Sequence, residues 1–495
     1  MKIMLQNIEP KVVWKHFSQL NAVPRPSKKE ERIIQFMMDF GQNLGLETLK
    51  DKAGNVIIKK PATKGYENKK TLVLQSHLDM VHQKNEDTNF DFSSQCIDMY
   101  VDGDWVKAKG TTLGADNGLG VAAIMAILAS DDIEHPTLEA LFTIDEETGM
   151  TGAKNLDPDI LNGEILLNLD TEEDDEIGIG CAGGVDITAT RFYIEESIPE
   201  NTTAFQVVVK GLQGGHSGMD IIKGLANANK ILTRLLFDTH KNYNMRLSSF
   251  IGGGFRNAIP RESKAQFVIL NNDIEAFKAS FETLVKAIQS EYQSLEPQMS
   301  IQLQDCDQPK SVLSSDVQDL MIKSLQTAHN GVYRMSPDIE GLVETSNNVA
   351  KVHIEKGKIE ISCLTRSSVD SGKWDLAHSL ESAFDLAGCR VRFSGDYPGW
   401  TPNPNSDILK VVDRLYQNNF GEKANIAACH AGLECGILGS HYPDMDMVSF
   451  GPTIKGAHSP DERASISSTQ KFWTFLKDIL KNIPKKNEPL RNEGH

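Results

Sequence analysis

The sequence predicts an α/β protein with a mixed sheet between helices. It is assembled from two stretches, 1–186 and 399–495, with an α+β domain at 187–398 inserted between them. Three observations lead there. The 495 residues exceed the roughly 250–300 that one hydrophobic core serves, so two domains are expected. Short apolar runs at 71–76, 138–144 and 165–169 each end in histidine or carboxylate residues. Near residue 187 that pattern stops and strands alternate with helices without strand-end carboxylates. It resumes from Asp407.

Composition narrows the function classes. A net charge of −17 leaves little basic surface to neutralise phosphates, so neither nucleic acid nor an anionic membrane is an expected partner. No window approaches the ~18 consecutive apolar residues of a spanning helix. Residues 1–17 carry charges and Pro10 where a signal peptide needs an apolar core. Seven cysteines, an odd number without a Cys-x-x-Cys pair, fit buried thiols in a reducing, cytoplasmic setting.

Residues 11–45 read as two helices broken at Pro24 and Pro26, the second opened by a capping box at Ser27-Lys28-Lys29-Glu30. A hairpin follows, Glu47–Lys50 and 55–59 around 51–54, and the loop 82–95 is polar and solvent-facing. The strand at 71–76 leads to His77 and Asp79, two residues apart and therefore on one strand face. There the imidazole can bind a metal while the carboxylate orients its other nitrogen.

The glycine-rich stretch 110–120 enters an apolar helix. It lacks the Gly-Lys-[Ser/Thr] ending and the strand-linked Gly-x-Gly-x-x-Gly of phosphate cradles. Asp116 at this entry either caps the helix or presents both oxygens outward. The strand 138–144 runs into Asp145-Glu146-Glu147-Thr148-Gly149. This is either a solvated acidic turn or a set of carboxylates around a cation, one of them a base. The strand 165–169 ends at Asp170. The carboxyl edge of an open α/β sheet is where sites are built.

In the insertion, strands are expected at 205–210, 265–270, 341–346, 350–355 and 358–364, and helices at 220–237, 273–292, 314–328 and 373–387. Residues 347–350 faintly echo 257–260, which points to an internal duplication. A helix at 406–419, runs at 425–430 and 447–450 and a loop through His458 complete the chain. The last thirteen or so residues read as a disordered tail.

Several stretches together resemble the zinc aminoacylase/carboxypeptidase superfamily, and within it the bacterial aminoacyl-histidine (cytosolic non-specific) dipeptidases. They include Ser76-His77-Leu78-Asp79-Met80-Val81, Thr112-Leu113-Gly114-Ala115-Asp116-Asn117-Gly118, Asp145-Glu146-Glu147-Thr148-Gly149, Leu167-Asn168-Leu169-Asp170, Gly214-Gly215-His216-Ser217-Gly218, His430-Ala431-Gly432-Leu433-Glu434 and 451–463. The resemblance implies a di-zinc peptidase catalytic domain with the insertion as its lid. Asp116 would bridge two Zn²⁺ per subunit, one completed by His77 and Asp170, the other by Glu147 and His458. Mn²⁺ and Co²⁺ also suit such ligands. Three carboxylates offset most of the +4 charge.

The resemblance further implies that Glu146 is the general base acting on a zinc-bridged hydroxide, with Asp79 holding His77. His216 would donate to the oxyanion after lid closure. Asn257 and Arg366 are candidates to receive the substrate carboxylate, which an Arg fork suits, and surface or fold-stabilising roles stand beside that reading for both. Glu434 and His430 share a family-type motif that assigns neither a role; Glu434 is a candidate to meet the substrate's α-amino group. The implied reaction is hydrolysis of unblocked dipeptides, including Xaa-His types such as β-alanyl-histidine.

Two other readings stand beside it. A carboxypeptidase or N-acyl-amino-acid deacylase of the superfamily is disfavoured by Asp170, where carboxypeptidases tend to carry Glu. A non-catalytic metal-binding protein is disfavoured by the intact Glu146. A homodimer and a monomer whose doubled lid completes its own site both remain open.

Overall fold

The computed structural model describes residues 5–486, which form two compact units. The first holds the chain up to Gly180, Pro402–Ala428 and the chain from Leu433 onward; the second holds Cys181–Thr401 and Cys429–Gly432.

The first unit is built on an eight-stranded sheet in the spatial order Glu47–Lys50, Val56–Lys60, Leu138–Thr143, Leu72–His77, Ile165–Asn168, Asp446–Ser449, Glu176–Cys181, Asn425–Cys429. The four inner strands, from Leu138–Thr143 to Asp446–Ser449, are mutually parallel, and antiparallel strands flank them. Every residue of Leu72–His77, Leu138–Thr143 and Ile165–Asn168 is buried, as strands covered on both faces must be.

The helix Ala115–Leu128 is buried on all sides and is apolar all round. It lies so close to the sheet that a Cβ on Gly120 would sit 2.5 Å from Ser76 Oγ and 2.8 Å from the Leu169 carbonyl. Only glycine allows that approach. Because the inner strands are parallel, their carboxyl ends share one edge. That edge receives His77, the turn 145–147, Asp170 and the chain leading to His458. The His458 loop is closed at its base by antiparallel pairing of Ile454 with Ala464 and Lys455 with Arg463.

The second unit is an antiparallel sheet in the order Ser300–Asp305, Thr202–Lys210, Ser263–Leu270, Arg246–Gly253, Val343–Glu355, Lys358–Ser367, Gly183–Phe192, Arg390–Tyr397. Gly331–Met335 pairs off to one side. The helices Ala228–Asn242, Ile274–Tyr292, Ser315–Thr327 and Asp370–Asp385 close one continuous core that includes Phe205, Phe267, Phe277, Leu376 and Phe384.

Several expectations need correction. The segment Ser27–Glu30 is not a capping box: the helix begins at Glu31, and Ser27 Oγ donates instead to Asp79 Oδ2 at 2.8 Å. The helix expected from 220 starts at Ala228, where Asn227 accepts from the Asn229 and Lys230 N–H groups. The strands expected at 341–346 and 350–355 are one strand, Val343–Glu355, with a register irregularity between Val349 and Lys351. The echoed tetrapeptides hold unlike positions, since Asn257 is in a loop and Asn347 lies within a strand.

Of the expected disordered tail, 483–486 lies against 68–70: Lys70 N–H donates to the Pro484 carbonyl and Lys486 N–H to that of Asn68, each at 2.9 Å. The remainder lies outside the described residues. Among the described residues no helix is long and apolar enough to cross a membrane.

Candidate metal centre

Five residues from five separate segments of the first unit meet at the carboxyl edge of the parallel strands. His77 Nε2 lies 3.1 Å from Asp116 Oδ1 and 3.4 Å from Asp170 Oδ1. His458 Nε2 lies 3.2 Å from Asp116 Oδ2 and 3.0 Å from Glu147 Oε2. Each oxygen of Asp116 thus belongs to a different set. Ligands about 2.0–2.1 Å from a tetrahedral ion stand about 3.3–3.4 Å apart, and the observed separations of 3.0–3.4 Å approach that spacing. Asp170 Oδ1 and Glu147 Oε1 are buried without a hydrogen-bond partner, although buried polar atoms normally have one. A set of imidazole nitrogens and carboxylate oxygens with unpartnered atoms fits two divalent cations.

The electrostatics agree. His458, hydrogen-bonded to Asp116 and Glu147, has its pKa pushed up to about 11. Burial lowers that of His77, yet Asp170, Asp116 and Asp79 raise it well above the ordinary imidazole value. Burial and the neighbouring carboxylates hold Asp170 up at about 6. The cluster draws protons because it needs positive charge.

Asp79 has two tasks. His77 Nδ1 lies 3.1 Å from the Asp79 carbonyl oxygen and 3.4 Å from its Oδ1. The same carboxylate accepts from the Glu146 N–H at 3.0 Å and the Glu147 N–H at 3.3 Å. Glu146 sits beside the donors, forming a possible ligand group with His77 and Glu147 within 4.8 Å. Its carboxyl is held well above the usual range by burial, with Asp170, Glu434 and Glu147 adding to the effect against the pull of His77.

Glu434 is fully buried. Its Oε2 accepts from Gln75 Nε2 at 2.7 Å and Thr143 Oγ1 at 2.6 Å, while Oε1 is unpartnered. Burial raises its pKa to about 8.

The other predicted residues lie in the second unit. His216 Nδ1 accepts from the Gly218 N–H at 3.2 Å and the Met219 N–H at 3.1 Å. Burial, then Arg366, lowers its pKa. Its neutral ring therefore carries the proton on Nε2. The Asn257 carbonyl accepts from the Ser217 N–H at 2.8 Å, so Asn257 borders the His216 turn. Arg366 is buried, donates to Tyr397 Oη at 2.8 Å and leaves Nε unpartnered. His430 Nε2 is 2.7 Å from Ser346 Oγ, and burial followed by Arg366 lowers its pKa to about 3.

Sequence reasoning missed Arg25, Ser27, Gln75 and Glu462, all of which contact site residues or their loops. Glu462 falls inside a stretch that carries the family resemblance, but no spacing rule separates it from a surface glutamate.

Fold and donor set define the class first: a metallohydrolase, with its candidate ligand residues at the carboxyl edge of a parallel sheet. The chain belongs to peptidase family M20/M25/M40, whose pattern matches residues 73–482, and it is accordingly a peptidase. It is 43% identical over 482 residues to the cytosol non-specific dipeptidase of Escherichia coli, covering 97% of this chain and 99% of the relative. The crystal structure of aminoacylhistidine dipeptidase from Vibrio alginolyticus superimposes with a TM-score of 0.94 at 43% identity, covering 98% and 99% of the two chains. Aminopeptidase PepT from Bacillus cereus, at 16% identity, TM-score 0.57 and coverage of 96% and 99%, shares the fold.

Proposed function

We propose that this protein is a cytoplasmic dipeptidase that hydrolyses unblocked dipeptides, Xaa-His types included, with two divalent metal ions, Zn²⁺ being the best fit to the ligand set. The observation that carries the reading is Asp116, whose two oxygens serve two separate histidine–carboxylate sets. The 43% identity to a cytosol non-specific dipeptidase supports the substrate class. In this reading His77 and Asp170 would hold one ion and Glu147 and His458 the other, with Asp116 common to both ligand sets. Such a pair acidifies water and polarises a peptide carbonyl.

The remaining work falls to the chain's own groups. Glu146 takes the proton of the attacking water and passes it to the leaving amine. Burial holds its carboxyl above the usual carboxylate range, which favours uptake of a proton from water. Asp79 aims His77 through its carbonyl and fixes Glu146 and Glu147 through their N–H groups. His216 donates from Nε2 to the carbonyl oxygen as charge develops there; the two N–H groups that occupy Nδ1 support this role. Arg366, with Asn257, receives the substrate's α-carboxylate. The unpartnered Oε1 of Glu434 supports its assignment to the α-ammonium group.

A panel of free dipeptides, tripeptides and N-acetyl amino acids tests the proposal. Turnover of free dipeptides, β-alanyl-histidine among them, with loss on chelation is expected. Activity confined to acylated substrates would overturn it.

A further inference from the structure

The loops carrying His77, Asp116 and His458 are tied together behind the donors by two buried charged residues that the mechanism does not use. Arg25 is 1% exposed and Glu462 is 2% exposed. Glu462 Oε2 accepts from the Leu113 N–H at 2.7 Å and the Gly114 N–H at 2.9 Å. Its Oε1 accepts from the Ala115 N–H at 2.7 Å and the Asp116 N–H at 3.2 Å. Leu113 and Gly114 lie in the loop before the helix, and the Ala115 and Asp116 N–H groups are among those that a helix entry leaves unsatisfied. An aspartate at such an entry ordinarily caps them itself. Here the carboxylate of another loop does so, and both oxygens of Asp116 stay free for His77 and His458.

Arg25 completes the tie. Its Nη1 donates to the carbonyls of Leu78 at 3.1 Å and Asp79 at 3.2 Å, and its Nη2 to Gly114 at 2.5 Å and to Asn21 Oδ1 at 3.0 Å. The Asp79 carbonyl is the one that faces His77 Nδ1. The guanidinium thus links the carbonyl that aims His77 to the loop that presents Asp116. No slack remains around it: a Cβ on Gly114 or Gly118 would lie 2.5 or 2.7 Å from Arg25 Nη2. Glu462 stands four residues beyond His458 in the closed hairpin, which ties in the third loop.

We propose that Arg25 and Glu462 are positioning residues that set the loops of His77, Asp116 and His458 in ligand geometry before any ion binds. The inference rests on the two-metal reading above. Two arms separate failure of one from failure of the other.

The first arm uses native protein stripped of metal. Hydrogen exchange of the 113–116 amides should be as slow in the stripped protein as in the Zn²⁺-loaded one, because Glu462 and not the ion holds them. Free exchange that slows only on adding Zn²⁺ overturns the proposal. Native protein that binds no Zn²⁺ at all removes the two-metal reading instead.

The second arm compares Glu462→Gln and Arg25→Lys. Loss of a group that orients metal ligands typically weakens metal affinity or activity about 10–100-fold. Each variant should therefore bind Zn²⁺ about 10–100-fold more weakly, with an altered visible spectrum of the Co²⁺ form, a lower kcat and a dipeptide KM within about threefold of native. A folded variant with native affinity and an unchanged Co²⁺ spectrum, differing only in melting temperature, overturns the proposal. If neither variant folds, the exchange measurement on native protein decides.

Discussion

Replacing Glu146 with Gln removes the proposed base and little else. The backbone there is fixed from outside the side chain, by Asp79 accepting from the Glu146 and Glu147 N–H groups at 3.0 and 3.3 Å. None of the donor separations of 3.0–3.4 Å that define the two sets involves Glu146. The amide keeps the shape of the carboxylate and cannot take a proton. A positioned general base contributes about 10²–10⁴ in rate, which corresponds to about 2.7–5.4 kcal/mol in the barrier at 1.36 kcal/mol per decade.

The account therefore expects kcat on a free dipeptide to fall by that factor, with KM within about threefold and metal content unchanged. Steady-state kinetics on metal-replete protein, with elemental analysis of the same sample, measures both. Native kcat in the metal-replete variant refutes the base assignment. A fall in kcat matched by lost metal refutes the separation of base from ligands and makes Glu146 a ligand.

Three further outcomes are expected. His216→Ala should lower kcat about 10²–10³-fold, the usual effect of removing one oxyanion donor, with both ions retained; a change in KM alone contradicts the role. Arg366→Ala should weaken binding of free dipeptides by about 2–5 kcal/mol and leave turnover of dipeptide amides unchanged from native; an equal loss on both substrates contradicts carboxylate recognition. His430 is held neutral when folded, its pKa lowered to about 3 by burial and Arg366. The unfolded chain takes up a proton near pH 6.5 that the folded protein does not, so stability falls as pH drops below that value. His430→Asn should lose about 2 kcal/mol less stability than native between pH 6.5 and 5, at 1.36 kcal/mol per pH unit. Equal losses from chemical denaturation at the two pH values contradict it.

The central strands were legible because they are buried on both faces. Leu72–His77 and Leu138–Thr143 read as continuous apolar runs, and their ends mark where the ligand-type residues fall. The strands Gly183–Phe192 and Arg390–Tyr397 were not legible. The first alternates polar and apolar residues only after two glycines, and the second is a half-exposed edge whose alternation stops after Phe393 at Ser394-Gly395-Asp396. At the site, strand direction brings the loops of His77, Glu147 and Asp170 to one edge, while Asp116 joins them from a helix entry and His458 from a hairpin loop.

What the sequence hid is the support behind them. Ser27 looks like a helix cap and instead donates to Asp79. Glu462 looks like a surface carboxylate in an acidic loop and instead accepts four N–H groups 346 to 349 positions away. Contacts of that sequence separation leave no local pattern to read. His430–Gly432 gives a related case: Ala182 N–H donates to the Cys429 and Ala431 carbonyls, which draws a short segment of a distant stretch into the second unit.

The most direct test of the account is metal stoichiometry by elemental analysis, paired with dipeptide turnover before chelation, after it, and after Zn²⁺ is restored. The account predicts two divalent ions per chain, turnover abolished when they are removed, and turnover regained with the second equivalent. Full turnover with one ion bound, or with none, would contradict it.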